Sequence, residues 1–275
     1  MTGTFSIDDE SGLIELHVTV DKRMNKQQVE ELTSKFENYE YKVIQHRRLS
    51  ADQHRLIWAL YGTLEDYTGQ NKEDWHQLLM GQFEIMNDLQ GLSTSFRSAN
   101  ALTVQQAADY IEYILFFGLE NGYPLYVLEG PRDDRKIKRT YQLCRDIRRY
   151  QVLCIMKKIC AVCGKVHDDT KETDQVTIHH IEHANRAGGY KYDEGQLKVI
   201  SMCGPCHAKI HDIAGEEFEK YLDQQYHLDG VRLSGHELLL IAVKDLYPSH
   251  FMKYKQDHKE TINQAKELLN GGLIR

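Results

Sequence analysis

Two Cys-x-x-Cys pairs constrain this chain more than any other feature of its sequence. They read CAVC at 160–163 and CGPC at 203–206, and 39 residues lie between them. Each pair places two thiolates on one tight knuckle, and two knuckles together supply the four sulfur ligands of a tetrahedral zinc site. The sequence therefore predicts a structural Zn²⁺ held by Cys160, Cys163, Cys203 and Cys206.

The setting of these cysteines favours metal over disulfides. The first ten residues, MTGTFSIDDE, lack the apolar run of a secretion signal. The longest apolar runs, such as LLLIAV, are far shorter than the roughly 20 residues that a membrane span requires. We therefore expect a cytoplasmic protein without a membrane partner, in which disulfides are disfavoured. The other two cysteines, Cys144 and Cys154, are interpreted as core thiols.

Charge is unevenly distributed along the chain, which carries a net charge of −7. Residues 1–130 hold 10 Lys/Arg against 20 Asp/Glu, residues 131–160 hold 10 against 3, and residues 161–275 hold 14 against 18. A basic block between acidic flanks is typical either of a solvated helix face or of a surface that binds a polyanion. Charge alone does not choose between these two interpretations.

Proline and glycine divide the chain near residue 130. The stretch ENGYPLYVLEGPRDDR holds two prolines and two glycines, whereas no proline precedes it. The fold class predicted is α+β. We expect one α+β domain over 1–130, a basic linking helix over 131–157, and a second domain over 158–275 that ends in helices.

Hydrophobic patterns predict the elements of the first domain. TGTFSI and LIELHVTV form a β-hairpin, NKQQVEELTSKFE a helix and YKVIQ a strand. Capping boxes at Ser50 with Gln53 and at Thr103 with Gln106 mark the starts of two helices, and Gly122 suits the end of the second. The longer helices are expected at about 51–67, 73–90 and 104–121.

Several histidines lie between and after the two cysteine pairs. His179 and His180 occur in a strand-like run, VTIHHIE, in which adjacent side chains point in different directions and so serve different purposes. His207 follows Cys206 directly, and His211 lies one helical turn later on the same face. The predicted order is knuckle, strand with two histidines, loop, strand, knuckle and helix.

These residues resemble the HNH endonucleases, also called His-Me or ββα-metal finger nucleases. The resemblance covers about 158–222 and rests on CAVC, IHHIEHANRAGG, QLKVISMCGPCH and the trailing histidine. It implies a hairpin and a helix that grip one divalent cation, with the four-cysteine zinc site bracing the hairpin. It also implies that His179 is a metal ligand, that His180 is the general base, and that His207 and His211 complete the metal site.

Phosphodiester hydrolysis suits such side chains. The attacking water must lose a proton, which a neutral imidazole accepts near pH 7, and charge on the departing oxygen must be stabilised. The resemblance implies products with 5′-phosphate and 3′-hydroxyl ends. We expect Mg²⁺ or Mn²⁺ as the catalytic cation, with Ni²⁺ or Zn²⁺ as alternatives because imidazole binds both.

One position departs from the HNH pattern. The second strand normally begins with Asn before an apolar residue, and Gln196 stands there instead. Glutamine keeps the amide but adds a methylene, so its side chain either fixes the loop that orients the base or misses that loop. Asn185 has the usual side chain but comes too early in the chain, and His183 is interpreted as a loop histidine.

The first domain is similar to the phage lambda Orf (NinB) recombination proteins over about 40–128. The similarity rests on RRLSADQHRLIWALYGTLEDYTG, EDWHQLLMGQF and LTVQQAADYIEYILFFGLENGYPL. It implies a homodimer that binds single-stranded or branched DNA and assists a recombinase, with a host single-stranded-DNA-binding protein as a candidate partner. An Orf-like half joined to an HNH half is known from staphylococcal and related phages, which implies the bacterial host cytoplasm.

Basic residues in both domains are candidate phosphate contacts. For those near the start of the first long helix, a solvated helix end is an equally good interpretation. The aromatic residues Trp58, Tyr61 and Trp75 are expected in the core rather than stacked on bases. The candidates are Arg47, Arg48, His54, Arg55, Arg132, Arg135, Lys136, Lys138, Arg139, Arg145, Arg148 and Arg149.

The sequence thus favours a phage recombination nuclease that cleaves DNA at an HNH site. The alternative is a non-catalytic mediator that binds single-stranded DNA and keeps a zinc-braced HNH fold without activity. A homing or restriction enzyme is disfavoured because no motif for reading a target is evident in the sequence.

Overall fold

The computed structural model describes residues 2–7, 14–19, 27, 48–131, 133–182, 188–214 and 218–270. The chain forms two compact units, 1–46 and 47–275. In the first unit, β1 (Thr2–Ile7) pairs antiparallel with β2 (Ile14–Thr19), which confirms the predicted hairpin. The predicted helix at 25–37 and strand at 41–45 lie outside the described residues, except Gln27, which is helical.

Among its described residues, the second unit is mainly helical and has two small antiparallel sheets. Its strands pair in order, β3 (Tyr126–Glu129) with β4 (Lys136–Arg139) and β5 (Val176–His180) with β6 (Val199–Cys203). Helices together with antiparallel strands agree with the expected α+β class. The helices are α1 (Ala51–Thr68), α2 (Lys72–Met86), α3 (Val104–Glu120), α4 (Ile147–Met156), α5 (Gly204–Ala214), α6 (Phe218–Tyr226), α7 (Gly235–Val243), α8 (Met252–Asp257) and α9 (Lys259–Asn270).

Helix starts follow the predicted caps. The Ser50 hydroxyl accepts a hydrogen bond from the Gln53 backbone and the Gln53 side chain accepts one from the Ser50 backbone, which confirms the capping box. Thr103 and Gln106 form the same arrangement at α3. Helix α2 ends at Met86 rather than at the predicted residue 90, because Asp88 has a positive φ, which a right-handed helix does not allow.

Helices α1, α2 and α3 pack around an aromatic centre. Tyr61 and Tyr110 are fully buried, and their hydroxyl oxygens lie 2.6 Å apart in a hydrogen bond. Burial raises the pKa of Tyr61, so its hydroxyl stays protonated. Trp75 is buried, as predicted, whereas Trp58 is half-buried and contacts the rings of His54 and other neighbours.

The predicted basic helix is shorter than expected. The helix covers Ile147–Met156, where Asp146 caps its start by accepting a hydrogen bond from the Arg149 backbone. The segment before it, Lys136–Arg139, is a strand paired with Tyr126–Glu129. Alternation of lysine with isoleucine in this segment matches the period of a strand, and the aspartate at 146 delays the helix.

In the described part of the chain, hydrogen bonds cross the predicted boundaries near residues 130 and 157. The Thr140 hydroxyl donates to the Leu125 carbonyl at 2.6 Å, and the Tyr150 hydroxyl donates to the Ala161 carbonyl at the same distance. The division into domains over 1–130 and 158–275, with a linking segment over 131–157, stays a prediction. Within the described ranges, no helix combines the length and apolar character needed to cross a lipid bilayer.

The last helices back the β5–β6 hairpin. Ile178 and Val199 of the hairpin share an apolar cluster with Leu238, Ile241 and other residues of the carboxy-terminal helices. In the same region, the Tyr247 hydroxyl donates to the Ile155 carbonyl at 2.8 Å. Residues after 230 therefore pack against one face of the hairpin through this apolar cluster.

Candidate active site

The β5–β6 hairpin and α5 bring the predicted site residues together. In the antiparallel register, His179 lies opposite Ile200 and His180 opposite Val199. Strand β6 then passes directly into α5 at Gly204. The predicted ligands after Cys203 therefore lie against the strand that carries the two histidines.

The four predicted zinc ligands converge. The sulfur atoms of Cys160, Cys163, Cys203 and Cys206 all lie within 4.8 Å of one another, and those of Cys163 and Cys203 are 3.6 Å apart. Tetrahedral zinc with Zn–S bonds of about 2.3 Å separates its sulfurs by about 3.8 Å. These cysteines are free thiols, so the donor set fits a structural zinc.

The thiols of this cluster polarise one another. Hydrogen bonds from Cys160 and then Cys203 lower the pKa of Cys163, which favours the thiolate that a metal requires. By contrast, burial raises the pKa of both Cys144 and Cys154 to about 12. These two thiols are buried and lie apart from the cluster, as the sequence predicts.

Three histidines form a second convergent group. One ring nitrogen from each of His179, His207 and His211 lies within 4.8 Å of the others. Two ligands at right angles on a cation, with bonds of about 2.1 Å, are about 3.0 Å apart, close to the 3.1 Å between Nε2 of His207 and Nε2 of His211. The three residues could hold one divalent cation.

Burial favours the neutral imidazole of His179, which is the form that ligates a metal ion. Burial, and after it the charges of His207 and His211, lower the pKa of His179 to about 3. The pKa of His207 is lowered by the same two causes, burial first and the His211 charge second. Neutral imidazoles keep the lone pairs that a metal ion needs.

His180 lies outside the three-histidine group and contacts a residue that sequence reasoning missed. Its Nε2 lies 3.1 Å from Oδ2 of Asp193, and the two side chains are 7% and 0% exposed. The other oxygen of Asp193 accepts hydrogen bonds from three successive backbone N–H groups, at 3.0–3.2 Å. The Asp-x-Gly spacing in DEGQ is typical of such a turn and was the available signal.

A second missed residue is His250, which follows α7. Its ring stacks on the ring of His180, with centroids 5.9 Å apart and planes inclined by 10°. Burial and the His180 charge lower the pKa of His250 to about 4. No spacing in the sequence connects position 250 with the cysteine and histidine motifs.

Gln196 participates through its backbone. Its N–H donates to Asp193 Oδ1 at 3.0 Å, and its carbonyl accepts from Arg232 Nε at 2.8 Å, while the residue is exposed. A role for its side-chain amide stays a prediction. His183 and Asn185 lie outside the described residues.

Several basic residues that were predicted to contact DNA form ion pairs with carboxylates of the same chain. Arg145 pairs with Asp109 and Glu112 at 2.7 Å, and Arg149 pairs with Glu120 at 3.1 Å. Arg148 pairs with Glu237, Arg55 with Asp52, and Lys138 with Glu129. These ion pairs neutralise much of the basic block within the fold.

Other predicted contacts remain open to solvent. Arg48, Arg135 and Lys136 are exposed and have no ion-pair partner in the described parts of the chain, and Arg139 is half-buried beside Gly164. The imidazole of His54 contacts the Thr94 carbonyl at 2.7 Å. Arg47 and Arg132 lie outside the described residues.

The comparison with protein families gives a match over most of the chain. The family HNHc_6, described as "Putative HNHc nuclease", matches residues 19–239. No curated protein and no solved structure matches the chain. The matched range contains both cysteine pairs and the three-histidine group, and it ends before His250. Because this match extends over most of the sequence, the chain belongs to the HNHc nuclease family.

Proposed function

We propose that the protein is a metal-dependent DNA endonuclease in which His180 is the general base. The observation that carries the proposal is the placement of His180 next to three histidines whose ligand atoms lie within 4.8 Å of one another. Cation ligands and a base are the two components that hydrolysis of a phosphodiester requires.

Two groups of residues would bind two different metal ions. His179, His207 and His211 would hold the divalent cation, which we propose to be Mg²⁺ or Mn²⁺, with Ni²⁺ or Zn²⁺ as alternatives. The chemistry that this cation supplies when bound is stabilisation of negative charge on the departing oxygen. Cys160, Cys163, Cys203 and Cys206 would hold the structural zinc and brace the hairpin.

His180 would take the proton in the reaction. As the oxygen of water forms a bond to phosphorus, its proton passes to Nδ1 of His180, because Nε2 is engaged with Asp193. The bond between phosphorus and the 3′ oxygen breaks, and the 3′ oxygen leaves with the electron pair and takes a proton from solvent. The products are a 5′-phosphate and a 3′-hydroxyl.

We further propose that the substrate is single-stranded or branched DNA and that the setting is phage recombination in a bacterial host. Support comes from the Orf-like residues before position 130 and from the exposed Arg48, Arg135 and Lys136. A homodimer is proposed on the same resemblance, with a host single-stranded-DNA-binding protein or a recombinase as partner. A gel-filtration mass equal to one chain would argue against the dimer.

The nuclease proposal is tested by nicking of circular single-stranded DNA in Mg²⁺, Mn²⁺ or Ni²⁺. We expect His180→Ala to lose at least about 100-fold in rate, as removal of a general base does. The matched control is His236→Ala, because His236 is an exposed histidine on α7. Equal nicking by wild type and His180→Ala would reject the base assignment. Absence of nicking with every metal, despite DNA binding, would favour the non-catalytic mediator.

A further inference from the structure

We propose that Asp193 is the positioning residue of this site: its carboxylate holds the Nε2–H of His180 and leaves Nδ1 of His180 as the proton acceptor. The inference deepens the proposed nuclease function and rests on it for its catalytic consequence. The statement about the tautomer of His180 can be checked without any activity.

The contact between the two side chains fixes the direction of the hydrogen bond. A carboxylate oxygen has no proton to donate, so Nε2 of His180 must donate across the 3.1 Å separation from Asp193 Oδ2. A neutral imidazole carries only one N–H, and therefore Nδ1 keeps its lone pair. Asp193 thus selects the tautomer that can accept a proton on the other side of the ring.

The carboxylate itself is held rigidly. Its second oxygen, Oδ1, accepts from the backbone N–H groups of Gly195, Gln196 and Leu197 at 3.0, 3.0 and 3.2 Å. The side chain is fully buried, and a buried carboxylate is tolerated when hydrogen bonds satisfy both oxygens. Rotation of the carboxylate would break four hydrogen bonds at once.

The turn that carries Asp193 also has little freedom. Gly195 has φ of +85°, and a Cβ added there would meet the Leu233 carbonyl oxygen and lie 2.9 Å from Leu238 Cδ1. The backbone of this turn therefore packs closely against the start of α7. The position of the Asp193 carboxylate is set by packing as well as by hydrogen bonds.

A second contact limits rotation of the His180 ring. The ring of His250 lies nearly parallel to the ring of His180, with centroids 5.9 Å apart, and Tyr190 contacts His250 in turn, with centroids 5.2 Å apart. Asp193 holds the ring through Nε2, and His250 occupies space beside the ring. Together they fix both the orientation and the tautomer of the base, which is what a proton transfer in a fixed geometry needs.

Asp193→Asn is the variant that tests the role of Asp193 most directly. Its side-chain oxygen can still accept from the three backbone N–H groups, while its amide now donates to Nε2 of His180. Nε2 then becomes the acceptor and the proton moves to Nδ1, which removes the lone pair that the reaction uses. We expect kcat to fall by about 10³- to 10⁴-fold with KM nearly unchanged, as for the aspartate-to-asparagine change in a serine-protease triad.

Asp229→Asn is the matched control. Asp229 is an exposed aspartate whose Oδ2 pairs with Lys198 Nζ at 2.7 Å, just before the start of β6. The control should keep the wild-type kcat and KM. Zinc content and the thermal midpoint of Asp193→Asn should match those of wild type, because the turn keeps its acceptor.

A spectroscopic measurement decides the tautomer directly. In the zinc-loaded full chain labelled with ¹⁵N-histidine, the His180 resonances are assigned by their loss in His180→Ala. Wild type should show a protonated Nε2 and an unprotonated Nδ1, and Asp193→Asn should show the reverse. A wild-type His180 protonated on Nδ1, or an Asp193→Asn variant with wild-type kcat, would overturn the proposal. If the wild type cleaves no DNA, the nuclease function fails while the spectrum still tests the role of Asp193.

Discussion

Nε2 of His207 and Nε2 of His211 lie 3.1 Å apart on consecutive turns of α5. Two imidazole nitrogens approach this closely when they share a proton or a cation, because their lone pairs otherwise repel. His179 adds a third nitrogen within 4.8 Å, from the neighbouring strand β5. A cation satisfies all three donors at once, whereas a shared proton satisfies two.

Replacing His211 should therefore weaken binding of a divalent cation. In zinc-loaded protein, Ni²⁺ is a suitable probe because imidazole binds it tightly. We expect His211→Ala to reduce Ni²⁺ affinity at least about 100-fold, measured by titration calorimetry. His236→Ala, on an exposed part of α7, should bind Ni²⁺ like wild type. Equal affinity in the two variants would remove His211 from the ligand set.

Loss of one zinc ligand should destabilise the fold. Cys163→Ser should hold one zinc fewer per chain than wild type and lose about 4 kcal/mol of stability, which corresponds to a fall of roughly 8–16 °C in Tm. The control is Cys144→Ala, a buried thiol outside the cluster. It should keep its zinc and lose less stability. Elemental analysis and calorimetry measure both effects, and an unchanged zinc content in Cys163→Ser would contradict the assignment.

Two glycines with similar φ values should respond differently to alanine. Gly69 has φ of +76° with nothing within 4 Å of an added Cβ, whereas Gly195 has φ of +85° and a crowded site. Gly69→Ala should cost about 1 kcal/mol from backbone strain alone. Gly195→Ala should cost about 3 kcal/mol because steric overlap adds to the strain. Urea denaturation measures both, and equal losses would show that the turn at Gly195 can relax.

Glu112 should make stability depend on pH in the acid range. Burial acts to raise the pKa of Glu112, but hydrogen bonds from the Asp146 backbone and from Arg145 outweigh it and hold the pKa below 4.5. The stabilisation is complete above the ordinary glutamate pKa and is lost as pH falls through the lower folded value. Glu112→Gln should cost about 2 kcal/mol at pH 7 and much less at pH 2.

Denaturation of Glu112→Gln and wild type between pH 7 and pH 2 measures this difference. Glu267→Gln is the control, because Glu267 is exposed on the last helix. It should be neutral at every pH. A Glu112→Gln cost that does not shrink on acidification would show that the carboxylate's charge is not what stabilises the contact.

Exposed and paired basic residues should differ in their effect on DNA binding. Replacing Arg135 and Lys136 together by alanine should lower the slope of log affinity against log salt by roughly 1 to 2 on single-stranded DNA. Replacing Arg148 and Arg149 should leave that slope unchanged, since they already pair with Glu237 and Glu120. Fluorescence anisotropy at several salt concentrations measures the slopes. The opposite ranking would place the DNA path along α4.

Local patterns explain which parts of the fold the sequence could predict. The capping pair at Ser50 and Gln53 and the CxxC knuckles act over three residues, so their geometry follows from spacing alone. The pairing of Lys136–Arg139 with Tyr126–Glu129 depends on a turn between them. A basic run of that length also fits a helix, and only the pairing partner decides between the two.

Long-range contacts explain what the sequence did not predict at the site. Asp193 meets His180 across 13 residues of chain, and His250 reaches the same ring from beyond α7. Neither contact has a characteristic spacing. Similarly, Arg145 looked available to DNA because its partner, Glu112, lies 33 residues earlier, on α3.

Because Cys206 and His207 are adjacent in the chain, oxidation of the cysteines would disturb the histidine cluster. The last thiol of the knuckle and the first histidine of α5 are consecutive residues, and Cys203 ends the strand just before them. Peroxide or another oxidant that joins Cys203 to Cys206 would remove two ligands of the proposed zinc and release the amino-terminal turn of α5. The histidine cluster would then open although no histidine had reacted, so the proposed nuclease activity would be lost through oxidation of sulfur atoms.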